Sequence, residues 1–456
     1  MNASSQAVRL RSALFMAFAF AVMADPVSSV AYAIEAALVK LDGQLSLLPW
    51  TMALVVGIVA IVVFNYWFLV KRFPEGGGDA AASGFAFGEG WAFPPMGALI
   101  VDFALTIAIS VAAAASAIIN VVSGLDPLRI PIALVLCVVV AGMTWFGHLG
   151  RLVFAAFTLL FLVAAALVLV TGVLDPSGGG AALSKPPSSD PAHAGIVAIL
   201  LAFPVAMALA TGVEAPLTAI AQLGQLDNDG RRRFGRGTLA LTVGIVGTLT
   251  LALALLADSL EVGLPRQGAT MIGNIAEAAA GDGAITAFFN LTSAILLLSA
   301  ASSSFAAGPG LLKALSRTPG HLGILPASLG RTNKHHTPYW AVVVFLGAAG
   351  ACVLAAQGEE QELVLFYAVA VFISFFSGLA AMARFSLRDR FWPLFVVNVI
   401  ALIAVAFTLG INLLSGYPIA SLASALAIAG GLWLMWVRAG RPSGVSQAEA
   451  IAEAEA

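Results

Sequence analysis

Charged residues and cysteines are scarce in this chain of 456 residues. Only 10% of the residues are charged, and the two cysteines, Cys137 and Cys352, both lie inside apolar stretches. A soluble domain carries more surface charge, and cysteines without a partner at metal-ligand or redox spacing do not indicate a metal centre. These shortages exclude a water-soluble protein, and we interpret both cysteines as small buried apolar residues.

Apolar residues are abundant instead, at 60% of the chain, with a mean hydropathy of +0.97. A bilayer core about 30 Å thick requires about 20 apolar residues per helix, and helices satisfy their own backbone groups in lipid. The sequence therefore predicts an all-α integral membrane protein with about 12 transmembrane helices. The predicted spans are 12–38, 46–70, 95–122, 130–148, 150–172, 194–222, 236–257, 284–308, 338–356, 361–383, 391–413 and 416–437.

The distribution of basic residues predicts the orientation. With the N-terminus inside, all but four of the 22 Lys and Arg residues fall on the cytoplasmic side, as the positive-inside rule requires. The four exceptions are Lys40, Arg129, Lys185 and Arg266. We therefore expect both termini to be cytoplasmic, and the high Ala and Gly content is compatible with the inner (plasma) membrane of a bacterium with a GC-rich genome.

The spans divide into a predicted domain order. This order is a cytoplasmic N-terminus at 1–11, a first repeat of five spans at 12–172, a second repeat of five spans at 194–383, two further spans at 391–437, and a disordered cytoplasmic tail at 438–456. The tail is short and rich in Ala and Glu, which is a composition that cannot build a core of its own. The whole protein is therefore expected to be its membrane domain.

Two spans at corresponding positions in these repeats, the first and the sixth, are interrupted in the middle. The first contains Asp25-Pro26 followed by two serines, and the sixth contains Thr211-Gly212 and Glu214 between two prolines. Paired interruptions of this kind indicate an inverted-repeat transporter with a binding site near the membrane midplane, where freed carbonyl groups can replace the water shell of a cation. Isolated kinks, which Pro and Gly also cause, are the alternative.

Four acids lie at membrane depth, namely Asp25, Glu35, Asp102 and Glu214. Each costs at least about 2.5 kcal/mol at the centre of a span, so such residues usually face a solute or proton path. Asp25 and Glu214 occupy the two breaks, and we predict that they bind the ion and carry the coupling proton. For Glu35, solvation at the outer interface is an equal alternative.

The third span carries a polar stripe in the segment DFALTIAIS. Thr106 and Ser110 follow Asp102 at spacings of four and eight residues, which places all three on one helical face. Hydroxyl groups that bond to their own helix are the alternative. We predict that the stripe lines a passage for the solute.

Catalytic signatures are missing. A glycine run at 76–78 is not followed by the Lys-Ser/Thr pair of a phosphate loop, and no nucleophile–base–acid set occurs. We therefore expect a transporter that is not an enzyme and has no cofactor and no nucleic-acid partner, while a homodimer remains open. A membrane receptor or an intramembrane enzyme is the remaining alternative class.

Five segments in order resemble one family. They are DPVSSVAYAIEAAL in span one, FPEGGG after span two, DFALTIAIS in span three, TGVEA in span six and LFYAVAVFISF in span ten. They resemble the amino acid-polyamine-organocation (APC) superfamily, and within it the bacterial Kim-type potassium importers related to the KUP transporters. The resemblance runs over nearly the whole chain.

This resemblance implies a LeuT-like fold of five plus five inverted repeats with two C-terminal helices, proton-driven alternating access, and potassium as the solute. The implied potassium ligands are Asp25, Tyr32, Thr106, Ser110, Thr211 and Tyr367. Two features differ from the family. The family tends to have Tyr at the position of Phe103, and longer relatives have a C-terminal regulatory domain that this sequence lacks. A proton- or sodium-coupled amino acid or polyamine permease is therefore the alternative function.

The type of span-one break separates these two functions. Amino acid members usually present a glycine-rich break whose amides hold the substrate carboxylate, whereas this chain presents an oxygen-rich break that suits a cation. The major facilitator fold is the structural rival, but its long inner loop normally follows span six. Here the longest inner loop, 309–337, follows span eight.

Overall fold

The structure is a computed structural model that describes residues 3–122, 124–147, 150–186, 188, 191–266, 268–414 and 419–455, with the backbone alone at 3–11 and 367–369. The elements in the first half of the chain are α1 (Ala3–Val22), α2 (Ala24–Ser28), α3 (Val30–Lys40), α4 (Leu48–Arg72), α5 (Gly78–Phe87), α6 (Phe93–Val121), α7 (Arg129–Trp145), α8 (Arg151–Leu174), α9 (Gly180–Leu183), α10 (Gly195–Ala206) and α11 (Ala215–Ala219). Those in the second half are α12 (Asn228–Ser259), α13 (Met271–Ala280), α14 (Ala284–Ala314), α15 (Ala327–Gly330), α16 (Tyr339–Ala355), α17 (Glu360–Arg388), α18 (Trp392–Leu414), α19 (Ile419–Arg438) and α20 (Ala448–Glu455).

Ten helical segments among the described residues are long and apolar enough to cross a membrane. They are Leu45–Arg72, Glu89–Val121, Asp126–Trp145, Arg151–Leu174, Gly195–Gln222, Asn228–Ser259, Ala284–Ala314, Glu360–Arg388, Trp392–Leu414 and Ile419–Arg438. Two shorter apolar helices, Ser12–Val22 and Tyr339–Ala355, fall within the remaining predicted spans. The prediction of an all-α membrane protein is confirmed, whereas the count of twelve spans and the five-plus-five repeat stay predictions.

Helix α6 lies at the centre of the bundle and packs against α14, α17 and α19. Its middle, Ala112–Ala115, is buried along its whole circumference. Small side chains of this kind allow neighbouring helix backbones to approach closely, which is how helices associate where no water drives them together. Asp102, Thr106 and Ser110 of the predicted polar stripe are buried as well, so the stripe faces protein and not lipid.

Both predicted interruptions are present. The first predicted span is divided into α1, α2 and α3, with breaks at Met23 and Ser29. In the sixth, α10 passes into a 3-10 helix at Met207–Ala210, and the chain then turns at 211–214 before α11 begins. Gly212 has a φ of +70° in this turn, a conformation that only glycine adopts without strain.

Basic side chains gather at one end of the bundle. There Arg72 pairs with Asp389, Arg232 donates to the Lys71 carbonyl at 3.1 Å, and Lys313 lies 2.7 Å from Glu455. We call this the basic end. Segments that the positive-inside rule assigns to the same side of the membrane therefore contact one another at this end of the fold.

The C-terminal tail differs from its prediction. Residues 445–447 form a 3-10 helix, and α20 packs against the basic end with Ala448 and Ala452 buried. The composition that suggested disorder is also one of good helix formers, and the alanines at a spacing of four give the helix a small face that packs on the protein. The tail was wrongly predicted to be disordered because its partner surface is contributed by distant segments.

Candidate functional site

Asp25 and Gly212 bring the two broken spans together. A Cβ atom placed on Gly212 would lie 2.6 Å from Asp25 Oδ2, well inside any real contact distance. The carboxylate of the first break therefore rests directly on the backbone of the second. Two breaks that are far apart in sequence form one site.

Hydroxyl groups reinforce this junction. Ser29 Oγ lies 2.7 Å from the carbonyl of Pro26 and 3.0 Å from the carbonyl of Leu209, so it links the two broken spans. Thr211 Oγ1 donates to the carbonyl of Ala208 at 2.6 Å, and the Tyr32 side chain faces Thr211. The junction is therefore dense in oxygen atoms, as a site for a cation must be.

A cavity of about 210 Å³ begins at this junction and extends to the basic end. Its acidic lining residues are Asp25, Asp79, Asp102, Glu214, Glu449 and Glu453. Among the described residues that line it, Arg151 is the single basic one. Clustered carboxylates in a cleft focus a negative potential when they are ionised, so the ionised cavity attracts cations.

Several oxygen atoms at the site are buried without a hydrogen-bond partner in the described part of the chain. They include Asp25 Oδ1, Glu214 Oε2 and Thr106 Oγ1. A buried acceptor left unpaired is costly, and a bound proton or cation removes that cost. Within the described ranges, no group of three or more His, Cys, Asp or Glu residues is arranged to hold a metal ion.

The predicted residues divide into two groups. Asp25, Asp102 and Glu214 line the cavity. The predicted ligands that are buried in the surrounding packing and not among the cavity-lining residues are Tyr32, Thr106, Ser110 and Thr211. The side chain of Tyr367 lies outside the described residues.

Asp79 was missed at the sequence level. It lies on α5, is 2% exposed, and accepts hydrogen bonds from the Tyr66 hydroxyl at 2.9 Å and the Ser374 hydroxyl at 3.1 Å. Burial raises the pKa of Asp79 to about 7, although both hydrogen bonds act in the opposite direction. The available signal was an acid inside a run of small apolar residues directly after FPEGGG.

The serines of α14 and the acids of α20 were also missed. Ser303 and Ser304 line the cavity. Glu449 and Glu453 reach the cavity from α20, and an Ala/Glu-rich tail gives no sequence signal for such a position. Their placement depends on long-range packing.

Glu35 is buried but is not among the residues that line this cavity. Its Oε2 atom accepts a hydrogen bond from the Met271 backbone N–H at 2.9 Å, at the first residue of α13. A carboxylate is stabilised at a helix N-terminus by the unsatisfied N–H groups and the helix dipole. In this structure Glu35 therefore stabilises the N-terminus of α13.

Comparison with known proteins identifies the family. The model for the amino acid permease family matches residues 11–438, which is nearly the whole chain. The chain belongs to the amino acid permease family of the APC superfamily. It is therefore a multi-pass membrane transporter and not an enzyme, as the resemblance in the sequence implied.

Two individual proteins are similar to this permease. The potassium transporter KimA of Bacillus subtilis (strain 168) is 28% identical over 369 residues, which cover 77% of this chain and 58% of KimA. The chain thus spans less than two thirds of the length of that relative. The crystal structure of a manganese transporter from Eremococcus coleocola, solved with an aromatic bis-isothiourea compound, has a TM-score of 0.49 and 12% identity, with coverage of 94% of this chain and 95% of that one.

Proposed function

We propose that this permease takes up potassium together with protons by alternating access. The observation that carries the proposal is the contact between Asp25 and Gly212, which joins the two broken spans into one acidic, oxygen-rich site. Asp102 and Glu214 line the same cavity. A cation that enters can exchange water for fixed oxygens there, while the acids compensate its charge.

Each predicted residue has a role in this proposal. Asp25 supplies the charge opposite the ion, and carbonyl groups freed at the two breaks supply neutral oxygens. The proposed hydroxyl ligands are Tyr32, Thr106, Ser110, Thr211 and Tyr367. Asp25 and Glu214 carry the coupling proton, because each has a buried oxygen that no other described residue satisfies. An ion and a proton then compete for the same carboxylates.

The cavity leads from the site to the basic end, which we assign to the cytoplasm together with both termini. Near the opposite end, the Gln361 side chain contacts the Tyr32 carbonyl at 3.4 Å and Arg129 pairs with Glu359 at 3.0 Å. In this assignment the structure represents a state that is closed outside, with its cavity directed toward the inner end. The relative KimA, which is named as a potassium transporter, adds support for the solute.

The test is growth of a bacterium that lacks its own potassium uptake, at low potassium, with this protein expressed. We expect the parent protein to restore growth, and Asp25→Asn and Tyr32→Phe variants at equal expression to fail. Glu75→Gln, a change to an exposed acid outside the cavity lining, is the matched control and should grow like the parent. No growth from a well-expressed parent would overturn potassium as the solute.

A second candidate is an amino acid or polyamine permease, and one observation favours it. Phe103 lines the cavity beside Asp102, and its aromatic face can attract an organic ammonium group. Purified protein in liposomes separates the candidates, because uptake of radioactive rubidium reports the potassium pathway directly. Rubidium uptake that unlabelled potassium abolishes supports the first proposal, whereas competition by a polyamine or an amino acid alone supports the second.

A further inference from the structure

The C-terminal helix α20 forms part of the wall of the solute cavity. Glu449, Ala452 and Glu453 line the same cavity as Asp25 and Glu214. The helix packs against α14, α11, the 3-10 helix at Ile220–Gln222 and α5, which are the elements around the cavity at the basic end. The tail of the chain therefore forms part of the cavity wall near the basic end.

Small residues allow this close seating. A Cβ atom placed on Gly84 would lie 2.4 Å from Ser446 Cβ, so the backbone of α5 and the tail are in direct contact. A Cβ on Gly310 of α14 would lie 3.6 Å from Ala452 Cβ. The buried face of the tail thus fits a groove that is lined by glycine.

Polar contacts anchor both ends of the tail. Glu89 accepts hydrogen bonds from the backbone N–H of Ser446 at 2.9 Å, and Gln222 donates to Glu453 at 2.6 Å. Glu455 lies 2.7 Å from Lys313 and 3.3 Å from His321. These contacts specify one position for the helix.

Glu449 is the exception within this otherwise satisfied interface. It is 5% exposed, and neither of its carboxylate oxygens has a hydrogen-bond partner among the described residues. An unpaired buried charge is strongly unfavourable, and release of the helix into water would remove that cost. Most of the tail therefore stabilises the packed position of α20, whereas the buried Glu449 carboxylate destabilises it.

We propose that α20 is an inner plug, which closes the solute cavity at the basic end when seated and must leave for solute to pass. The inference rests on the proposed transport path. Because the helix belongs to the same chain, its effective concentration at the groove is high and its seating needs no partner. The plug is distinct from the two broken spans, which belong to the transport site itself.

Proton binding controls the plug. Burial raises the pKa of Glu449 well above its ordinary value, and the Asp79 and Glu453 carboxylates raise it further. Burial likewise raises the pKa of Glu453, against the opposing effects of Gln222 and Arg151. The seated helix therefore binds more protons than the released helix, so seating weakens as the pH rises from the ordinary glutamate range toward these raised pKa values.

The charged groups that surround the plug determine which carboxylate carries this pH response. Glu449 and Glu453 face Asp79 of α5 and Arg151 of α8. Glu455 faces Lys313 and His321; burial acts to raise its pKa, but these two side chains outweigh burial and lower it. Glu449 is the group with no compensating partner among the described residues, so it dominates the response.

Cysteine labelling tests the plug without reference to any solute. In a background with Cys137→Ala and Cys352→Ala, Ser303→Cys places a thiol in the cavity wall, and a bulky membrane-impermeant maleimide is added from the basic end. Ser328→Cys, at an exposed position in the short helix α15, supplies the reference rate, so that thiol ionisation cancels in the ratio. This ratio measures how often the plug is open.

Two matched variants on the same helix separate seating from charge. Ala452→Arg alters a buried position against Gly310 and should raise the labelling ratio about tenfold, because a minor conformer is commonly populated at about 0.1–10%. Ala454→Arg makes the same change at an exposed position and should leave the ratio unchanged. Deletion of residues 445–456 should give the same labelling ratio as Ala452→Arg, so that the result does not depend on the folding of a single variant.

Equal ratios for the parent, Ala452→Arg and the deletion would overturn the plug. For the pH response, the parent ratio should increase as the pH rises above the ordinary glutamate range, and Glu449→Gln should flatten this increase, since glutamine cannot ionise. A rise that persists in Glu449→Gln would overturn the assignment of Glu449. Altered labelling without rubidium uptake would reject the proposed solute and keep the plug, whereas uptake with unaltered labelling would reject the plug alone.

Discussion

The Asp25 carboxylate lies against Gly212, so close that a Cβ on the glycine would be 2.6 Å from Oδ2. Gly212 also has a φ of +70°, which adds about 1–2 kcal/mol of strain for any other residue. We expect Gly212→Ala to displace Asp25 and to reduce transport at least tenfold, with the protein still inserted in the membrane. Uptake of rubidium by liposomes, normalised to the amount of folded protein, measures the effect.

Gly57→Ala is the matched control for this prediction. Gly57 lies in the helix α4, and a Cβ placed on it meets nothing within 4 Å. The change should leave uptake within twofold of the parent and slightly favour the helix. Parent-like uptake by Gly212→Ala would show that Asp25 does not depend on the second break.

Arg129 joins two spans at the end opposite the basic end. Its guanidinium lies 3.0 Å from Glu359 and 3.6 Å from the buried Glu360 carboxylate, which also accepts from Ser116 at 2.8 Å. Arg129→Met leaves Glu360 buried without a cation, so we expect a loss of about 3 kcal/mol in the free energy of unfolding. Thermal unfolding in detergent measures the loss.

Two further variants make this prediction specific. Arg129→Met combined with Glu360→Gln removes the uncompensated charge and should recover more than half of the lost stability. Lys185→Met removes an exposed cation from the same end of the protein and should change stability by less than about 0.5 kcal/mol. A double variant no more stable than Arg129→Met would mean that the arginine acts through packing.

The parts of the fold that local chemistry determines were predictable. Apolar length predicted the ten described segments that can cross a membrane, and the Asp-Pro and Thr-Gly pairs located both breaks, because lipid demands internal hydrogen bonds and only particular residues interrupt a helix. The buried position of Asp79 and the packing of α20 against the basic end were not predictable. Both depend on contacts between residues more than 200 positions apart, such as Ser374 with Asp79 and Gln222 with Glu453.

Asp79 should make stability depend on pH. Its pKa is raised from 3.8 to about 7, so the folded state binds more protons than the unfolded state between those values, and stability falls as pH rises through that window. We expect Asp79→Asn to flatten the decrease in melting temperature between about pH 5 and about pH 7.5, because the asparagine oxygen still accepts from Tyr66 and Ser374. Scanning fluorimetry across this range measures the slope.

The control for this slope is Asp229→Asn, which changes an aspartate whose side chain is 69% exposed and should leave the pH dependence unchanged. A variant slope equal to that of the parent would assign the pH dependence to other buried acids. The cavity acids Glu449 and Glu453 are the next candidates, since burial raises the pKa of both.

Phe103→Tyr tests which solute the cavity serves. Phe103 lines the cavity beside Asp102, where the potassium importers that this chain resembles tend to have tyrosine. The added hydroxyl offers one more oxygen to a bare cation and keeps the aromatic ring. We therefore expect the KM for rubidium to fall about threefold, while the maximal rate stays within twofold of the parent. Phe376→Tyr, at an exposed position on α17 outside the cavity lining, should leave both constants unchanged. If Phe103→Tyr changes uptake of an organic amine and leaves rubidium uptake unaltered, the cavity serves organic cations, because only a solute in contact with residue 103 can respond to its hydroxyl.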